Sequence, residues 1–242
     1  MLSKTECIIL HKIKYSESSL IVHGYTREHG KISFILQGIR KKSSRMKANL
    51  FQPLFLLDLD IDLKSKRQLQ RIREAKNSYP FQSIPYDFAT RSVALFLAEF
   101  LYKTLQEEEP NPDLFDFIAS HVKLLDMKGE RVPNFHIYFL LQLSKYLGFF
   151  PEENIYHFPY FDLERGVFSS EKPMHKQFIR EPYTGLMAQF LKYSSNQHEN
   201  LHINRSDRQF LLKNIIKFYQ LHFQTPLEIK SFEILKETFG DY

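Results

Sequence analysis

The spacing of apolar residues changes about one third of the way along the chain. In the first part, short segments rich in β-branched and aromatic residues predict strands. Their approximate bounds are residues 7–15, 20–25, 31–36, 54–61 and 69–73. Residues 16–19 and 28–30 are tight polar connections, whereas residues 38–49 form a long and basic one. Five short strands without an intervening helical period predict a small closed or partly open barrel of the OB type, and an SH3-like barrel would give a similar count.

Helical periodicity begins near residue 85. Apolar residues recur at intervals of three and four over residues 93–105, which predicts one buried stripe along a helix. Asn111-Pro112-Asp113 predicts the start of a second helix, because it combines a cap, a proline at the first helical position and an early acid. A third helix is expected over residues 133–147 and is apolar on nearly all sides.

The last third of the chain is predicted to hold two more helices after an irregular insertion. Ser206 and Gln209 form a capping-box pattern ahead of an apolar stripe. A short final helix is expected over residues 227–238. Neither the strand period nor the helix period holds over residues 149–182, and residues 161–168 have the pattern of a small hairpin.

Together these patterns predict an α+β, multidomain fold. A β-barrel domain is expected at residues 1–80, and an α-helical bundle domain at residues 81–242 with its insertion at about 149–182. The boundary is set by Tyr79-Pro80 and Ile84-Pro85, which interrupt both periods.

Positive charge is concentrated in the predicted barrel. Residues 1–80 contain 16 lysines and arginines against 7 aspartates and glutamates, whereas the rest of the chain contains 17 against 21. Such an asymmetry is typical of a protein in which one domain binds a polyanion. We therefore expect the first domain to bind nucleic acid.

Two groups of cations in that domain are the candidate nucleic-acid-binding residues. One lies in the long connection after the third strand, and the other surrounds the last hairpin. On a barrel, the two groups could line one groove that follows a phosphate backbone. The candidates are Arg40, Lys41, Lys42, Arg45, Lys47, Lys64, Lys66, Arg67, Arg71 and Arg73. The alternative is a non-enzymatic interaction protein whose basic loop binds an acidic protein partner.

The aromatic residues of the barrel have two possible uses, packing and base stacking. Strand alternation places Phe34 and Phe55 in the core. Tyr25, His23 and Phe51 are weaker candidates for stacking on bases.

Sequence signals for catalysis are missing. The chain has no phosphate-binding glycine-rich loop and none of the common hydrolase or metalloprotease motifs. Asp58, Asp60 and Asp62 share one strand face, which would suit a metal-dependent nuclease, but the solvent-facing side of a strand is the simpler interpretation. We expect no enzymatic activity, no metal site and no cofactor.

Cysteine usage and hydropathy indicate a cellular compartment. The single cysteine, Cys7, rules out an internal disulfide and favours a reducing environment. We find no apolar run long enough for a signal peptide or a membrane span. A cytoplasmic protein that contacts no membrane is therefore expected.

The order of these motifs resembles the bacterial RecO family of recombination mediators. The resemblance covers nearly the whole chain and rests on the order and spacing of short segments. The segments are Gly24-Tyr25, the Gly30 turn, Gly38-Ile39-Arg40-Lys41-Lys42-Ser43-Ser44, Leu50-Phe51-Gln52-Pro53-Leu54, Arg71-Ile72-Arg73-Glu74-Ala75, Tyr219-Gln220-Leu221-His222, Lys230-Ser231 and Leu235.

The resemblance implies an OB domain followed by a helical domain, acting in DNA repair and recombination at the nucleoid. It implies binding of single-stranded and duplex DNA and annealing of complementary single strands. It further implies that the protein works with RecR to load RecA onto DNA coated by single-strand-binding protein, whose C-terminal tail docks on the helical domain.

The sequence departs from the family pattern at the insertion. Many members carry a cysteine-rich zinc ribbon there, whereas residues 161–170 contain no cysteine. We expect the hairpin to form without zinc and to be held by apolar contacts. The expected side chains are Phe158, Tyr160, Phe161, Val167 and Phe168.

Overall fold

The computed structural model describes residues 2–39, 46–105, 109–129, 132–151, 158–192 and 201–239. These residues belong to two compact units, Met1–Gly129 and Glu130–Tyr242. The described part of the chain has no helix that is long and apolar enough to cross a membrane.

The first unit begins with a closed barrel of five strands. The strands are β1 (Leu2–Lys14), β2 (Leu20–Thr26), β3 (Gly30–Leu36), β4 (Leu56–Asp62) and β5 (Leu69–Asn77). Their order around the barrel is β1-β2-β3-β5-β4, and β3 and β5 are the only parallel neighbours among them. The predicted barrel is therefore confirmed.

Alternation along the strands fills the barrel interior with apolar side chains. Phe34 and Phe55 are buried, as predicted, and Cys7 is fully buried, which raises the pKa of its thiol. Gly24 is required on the inner side of β2, because a Cβ atom there would lie 2.3 Å from the Sγ atom of Cys7. β1 begins at Leu2, five residues earlier than the pattern indicated. The first half of β1 pairs with β4, but it carries several polar side chains and therefore lacks a strong apolar signal.

Two helices, α1 (Phe88–Thr104) and α2 (Pro112–Lys128), complete the first unit. The predicted start of α2 is confirmed, since the side chain of Asn111 accepts a hydrogen bond from the amide of Leu114 at 3.0 Å. The carboxylate of Asp87 caps α1 in the same way, at 2.6 Å from the amide nitrogen of Thr90. The barrel ends before α1, whereas the two compact units divide at Gly129.

The second unit is helical with a small sheet. Its helices are α3 (Phe135–Tyr146), α4 (Tyr183–Lys192), α5 (Arg205–Phe223) and α6 (Ser231–Thr238), and its strands are β6 (Tyr160–Asp162), β7 (Val167–Ser169) and β8 (Phe178–Arg180) in the order β7-β6-β8. The predicted hairpin corresponds to β6 and β7. Helix α4 and strand β8 were not predicted. A barrel followed by helices confirms the α+β class.

The hairpin is held by aromatic packing and by one buried carboxylate. The rings of Phe161 and Phe168 are buried with their centroids 4.8 Å apart, and Phe161 also packs edge-on against Phe218 of α5. The Oδ1 atom of Asp162 accepts hydrogen bonds from the amides of Glu164 and Arg165 across the turn. Aromatic packing and the hydrogen bonds of Asp162 therefore stabilise the hairpin and its turn.

The capping box predicted at Ser206 and Gln209 is wrong. Asn204 is the N-cap of α5: its side-chain oxygen accepts from the amide of Asp207, and its side-chain nitrogen donates to the Asp207 carboxylate. Ser206 lies inside the first turn and donates its hydroxyl to Asn204. The sequence did not distinguish the two candidates, because Asn204 and Ser206 both precede the apolar stripe and asparagine caps a helix as well as serine does.

Candidate nucleic-acid interface

The outer face of β1, β2 and β3 is covered by α1. The ring of Tyr102 stacks on His11 at 4.7 Å and packs against His23 at 4.9 Å, and burial lowers the pKa of both histidines. The ammonium group of Lys31 donates to the backbone oxygens of Tyr102 and Leu105, at 2.6 and 2.7 Å, where α1 ends. This face, which many OB domains use for oligonucleotides, is therefore occupied by the protein itself.

Two aromatic residues predicted as possible base-stacking groups are inaccessible. Tyr25 and Phe51 are both 0% exposed. Tyr25 points outward from β2 but packs against Phe115 of α2, with ring centroids 6.3 Å apart. The prediction is wrong for both residues. Tyr25 is covered by α2, which the pattern of β2 alone cannot show, and Phe51 is part of the buried core.

The outer face of β4 is rich in carboxylates. Asp58, Asp60 and Asp62 project from it while the intervening residues are buried, which confirms the solvent-facing interpretation of this strand. Asp58 and Asp60, together with residues of neighbouring segments, form a surface that we call the acid-rich groove. It is lined by Lys4, Thr5, Glu6, Glu28, Asp58, Leu59, Asp60, Glu74 and Lys76. Among the described residues, no group of three or more His, Cys, Asp or Glu side chains is arranged to hold a metal ion.

The connection between β4 and β5 is a structured basic turn. Buried Gln70 organises it: its side-chain nitrogen donates to the backbone oxygens of Lys64 and Arg67, and its side-chain oxygen accepts from the amide of Lys64. The side chains of Lys64 and Lys66 are exposed. Gln70, the second residue of β5, thus fixes the backbone of the turn from which Lys64 and Lys66 project into solvent.

Two further cations project from β5 itself. Arg71 and Arg73 are exposed on either side of buried Ile72. The pairing with β4 is irregular between Asp60 and Ile61, where the two residues Arg73 and Glu74 occupy the space of one. Both arginines therefore face outward on the same stretch of strand.

Arg67 differs from the other cations of this region. Its guanidinium lies 3.9 Å from the carboxylate of Asp62 and is only about one third exposed. It therefore contributes less free charge to a ligand than the predicted set assumed.

The long basic connection lies only partly within the described residues. Arg40, Lys41, Lys42 and Arg45 lie outside them, whereas Lys47 is described and exposed. The parallel pairing of Ser33 with Leu69 and of Phe34 with Gln70 brings the end of β3 level with the part of β5 that carries the two arginines. The 3-10 helix Ala48–Leu50, which follows the connection, also packs against β5. Both described ends of the connection therefore lie beside β5.

Four exposed cations therefore lie on the turn before β5 and on the first half of β5. We call this set, Lys64, Lys66, Arg71 and Arg73, the β5 track. Within the described residues, no member of the β5 track forms an ion pair, in contrast to Lys76, whose ammonium group is 2.9 Å from the carboxylate of Glu74. Exposed cations without protein partners are suited to binding phosphates.

The second unit contains a groove that sequence reasoning missed. It combines the apolar residues Phe210, Ile216, Leu227 and Phe232 with the lysines of α5, and its volume is about 530 Å³. Lys213 and Lys217 lie one turn apart on the helix and line the same groove. The sequence signal that could have identified this groove is the position of these lysines at the edge of the apolar stripe of α5. We call it the α5 groove.

Comparison with known proteins assigns the chain to a family. The family model described as Recombination protein O N terminal matches residues 1–81, and the one described as Recombination protein O C terminal matches residues 85–230. The DNA repair protein RecO of Bacteroides fragilis is 38% identical over 244 residues, which cover 99% of this chain and 100% of that protein. The RecO proteins of Phocaeicola vulgatus and Flavobacterium psychrophilum are each 36% identical, over 99% and 98% of this chain and 100% and 99% of their own lengths. The chain belongs to the RecO family of DNA repair proteins.

Proposed function

We propose that this DNA repair protein binds single-stranded DNA along the β5 track and Lys47, and that it anneals complementary strands without making or breaking a covalent bond. The observation that carries the proposal is the row of exposed cations beside β5, which have no acidic partner among the described residues. Arg40, Lys41, Lys42 and Arg45 belong to the connection that meets β5 at both described ends, and they are part of the proposed site.

Annealing follows from electrostatics alone. Two complementary strands repel one another through their phosphates, and a cationic surface that neutralises part of this charge lowers the repulsion. Base pairing then provides the free energy. The same phosphate contacts would bind duplex DNA, because they do not read the bases.

The proposed partners follow the family. We propose that the protein acts with RecR to load RecA onto DNA coated by single-strand-binding protein. The C-terminal tail of single-strand-binding protein, which is acidic and hydrophobic, would dock in the α5 groove. That groove pairs apolar side chains with Lys213 and Lys217, which suits a ligand with both characters.

The central experiment is an annealing assay with complementary labelled oligonucleotides, with and without single-strand-binding protein. We expect faster annealing with the wild-type protein and a clear loss after the substitutions Arg71→Ala and Arg73→Ala. The matched control is the pair Lys4→Ala and Lys76→Ala, which removes the same charge from the acid-rich groove. An equal loss in the two variants would show that net charge, not the β5 track, is responsible.

Two further measurements separate the alternatives. An acidic peptide titrated in parallel with an oligonucleotide tests the interaction-protein hypothesis, which predicts that only the peptide binds tightly. Incubation with DNA and magnesium tests the proposal that the protein is not an enzyme. Strand cleavage that disappears with Asp60→Asn would overturn that proposal.

A further inference from the structure

We infer that a second groove of the first unit, at the far end of β5, binds a nucleobase of the same DNA strand by stacking on Tyr86; this inference rests on the proposed function. The groove has a volume of about 610 Å³ and lies between the 3-10 helix, the end of β5 and the segment that leads into α1. We call it the aromatic groove. Its lining includes Asn49, Gln52, Asn77, Phe81, Tyr86 and Arg91.

The aromatic groove is lined by one exposed ring and by packed aromatic residues. Tyr86 lines this groove and is 80% exposed, so its ring is accessible to a ligand. Phe81 forms part of the floor: its ring stacks on Phe55 with a centroid distance of 4.5 Å and an interplanar angle of 11°. Tyr79 meets Phe81 edge-on at 5.0 Å. An accessible aromatic ring in a groove is a group on which an unpaired base can stack.

The segment that carries Tyr86 is held rigidly. The carboxylate of buried Asp126 accepts hydrogen bonds from three successive backbone amides, those of Gln82, Ser83 and Ile84, each at 2.8 Å. The guanidinium of Arg91 donates to the backbone oxygens of Ile84 and Pro85. Because the backbone is fixed before a ligand binds, stacking on Tyr86 would cost little conformational entropy.

The polar lining suits an uncharged base beside a phosphate chain. Three carboxamide side chains, those of Asn49, Gln52 and Asn77, can each donate to and accept from a base edge. The Gln52 oxygen already accepts from the ammonium of Lys12 at 3.0 Å, so its amide nitrogen is the group it can offer to a base. None of the described residues that line the aromatic groove is acidic, whereas carboxylates predominate in the acid-rich groove.

The aromatic groove continues the β5 track. Asn77 is the last residue of β5, about 20 Å along the strand from Arg71 at ~3.3 Å per residue. Exposed Lys47 lies two residues before Asn49, at the other side of the aromatic groove. Between Arg73 and Asn77, the exposed side chains of Glu74 and Lys76 pair with one another at 2.9 Å, so a strand whose phosphates contact the β5 track would pass this ion pair before it reaches Tyr86.

The test compares binding of a labelled oligothymidylate with that of an abasic oligonucleotide of the same length. We expect the wild-type protein to prefer the base-containing strand by about fivefold or more, which corresponds to ~1 kcal/mol for one stacked base. Tyr86→Ala should abolish this preference, and Tyr86→Phe should keep it. The matched control is Phe88→Ala, which removes an exposed ring two residues away that does not line the aromatic groove.

The chain contains no tryptophan, which allows a direct reporter of contact. Tyr86→Trp should give a single fluorescence signal that the oligothymidylate quenches and the abasic strand does not. Phe88→Trp should be quenched by neither. Because both positions are exposed, these variants are expected to fold like the wild type.

The possible outcomes separate the inference from the proposed function. If the wild-type protein binds neither oligonucleotide, the proposed function fails and the inference fails with it. If it binds both equally well, or if Tyr86→Ala keeps the preference for bases, the inference is wrong and DNA binding by the β5 track stands. A preference lost with Tyr86→Ala and kept with Phe88→Ala supports the inference.

Discussion

Asp126 is the residue on which the connection between the barrel and α1 depends. It is 1% exposed, and its two carboxylate oxygens accept the three amide hydrogen bonds of residues 82–84. Its proximity also raises the pKa of Tyr79, after the larger effect of burial. A buried carboxylate is tolerated in this position because three backbone amides donate hydrogen bonds to its oxygens.

We therefore predict a large loss of stability for Asp126→Ala. Removing the carboxylate leaves the buried amide of Ile84 and the part-buried amides of Gln82 and Ser83 without this partner, and a buried amide without a partner costs about 1–3 kcal/mol. The expected loss in the free energy of unfolding is about 3 kcal/mol or more, measured by chemical denaturation. Asp126→Asn, which keeps one acceptor oxygen, should lose less. Met127→Ala on the same helix is the control, since Met127 is 76% exposed and its loss should change stability by less than about 0.5 kcal/mol.

His136 should make the stability of the second unit depend on pH. Burial, with a smaller effect of Arg208, lowers its pKa from the usual 6.5 to about 3. The unfolded chain therefore binds a proton between these two pH values and the folded chain does not. Its contribution to stability is complete above about pH 6.5 and is lost as the pH falls from there toward 3, at ~1.4 kcal/mol per pH unit.

From pH 7 to pH 5, this histidine should lower the free energy of unfolding by about 2 kcal/mol. The measurement is chemical denaturation of the wild type and of His136→Gln at both pH values. The free energy of unfolding of His136→Gln should fall by about 2 kcal/mol less than that of the wild type. His202→Gln, a change at an exposed histidine, should behave like the wild type. An identical pH dependence for the wild type and His136→Gln would contradict the assignment.

At the scale of elements, the turn between β4 and β5 should depend on Gln70. Its three hydrogen bonds hold the backbone that carries Lys64 and Lys66. Gln70→Ala should lower the unfolding free energy by about 2 kcal/mol and weaken DNA binding, because the loosened turn must be ordered again on binding. The control Gln37→Ala changes an exposed glutamine near the end of β3. Unchanged binding by a folded Gln70→Ala protein would show that the turn need not be fixed.

The elements that could be predicted are those with a strong local signal. Strand alternation identified all five barrel strands, and Asn111-Pro112 identified the start of α2. Helix α4 was missed because it is short and follows a segment rich in prolines. Strand β8 is only three residues long and exists because it pairs with β6, which no local pattern can show.

The candidate site was predictable in composition but not in arrangement. The sequence identifies Arg71 and Arg73 as cations, and strand alternation puts both on one face. It does not show that Arg67 lies beside Asp62, because the conformation of the turn between β4 and β5 sets that contact. It also does not show that Phe115 covers Tyr25, because these two residues are distant in the chain. The aromatic groove was missed for the same reason: the barrel end, the 3-10 helix and the segment before α1 meet only in the fold.

At the scale of the whole molecule, the charge asymmetry of the sequence becomes an asymmetry of surfaces. The cationic excess of residues 1–80 is not spread evenly over the barrel. α1 and α2 cover one face, carboxylates dominate the acid-rich groove, and the four exposed cations of the β5 track form no ion pair within the described residues. We therefore predict that a DNA strand on this unit follows the β5 track.

The dependence of binding on salt tests this path most directly. For single-stranded DNA, the slope of log K against log salt concentration is about −0.7 per phosphate contact, so contacts from Lys47 and the β5 track predict a slope of about −3.5 or steeper. Arg71→Ala with Arg73→Ala should make the slope shallower by about 1.4, whereas Lys4→Ala with Lys76→Ala should leave it unchanged. A wild-type slope near zero, or equal slopes for the two double variants, would contradict the account.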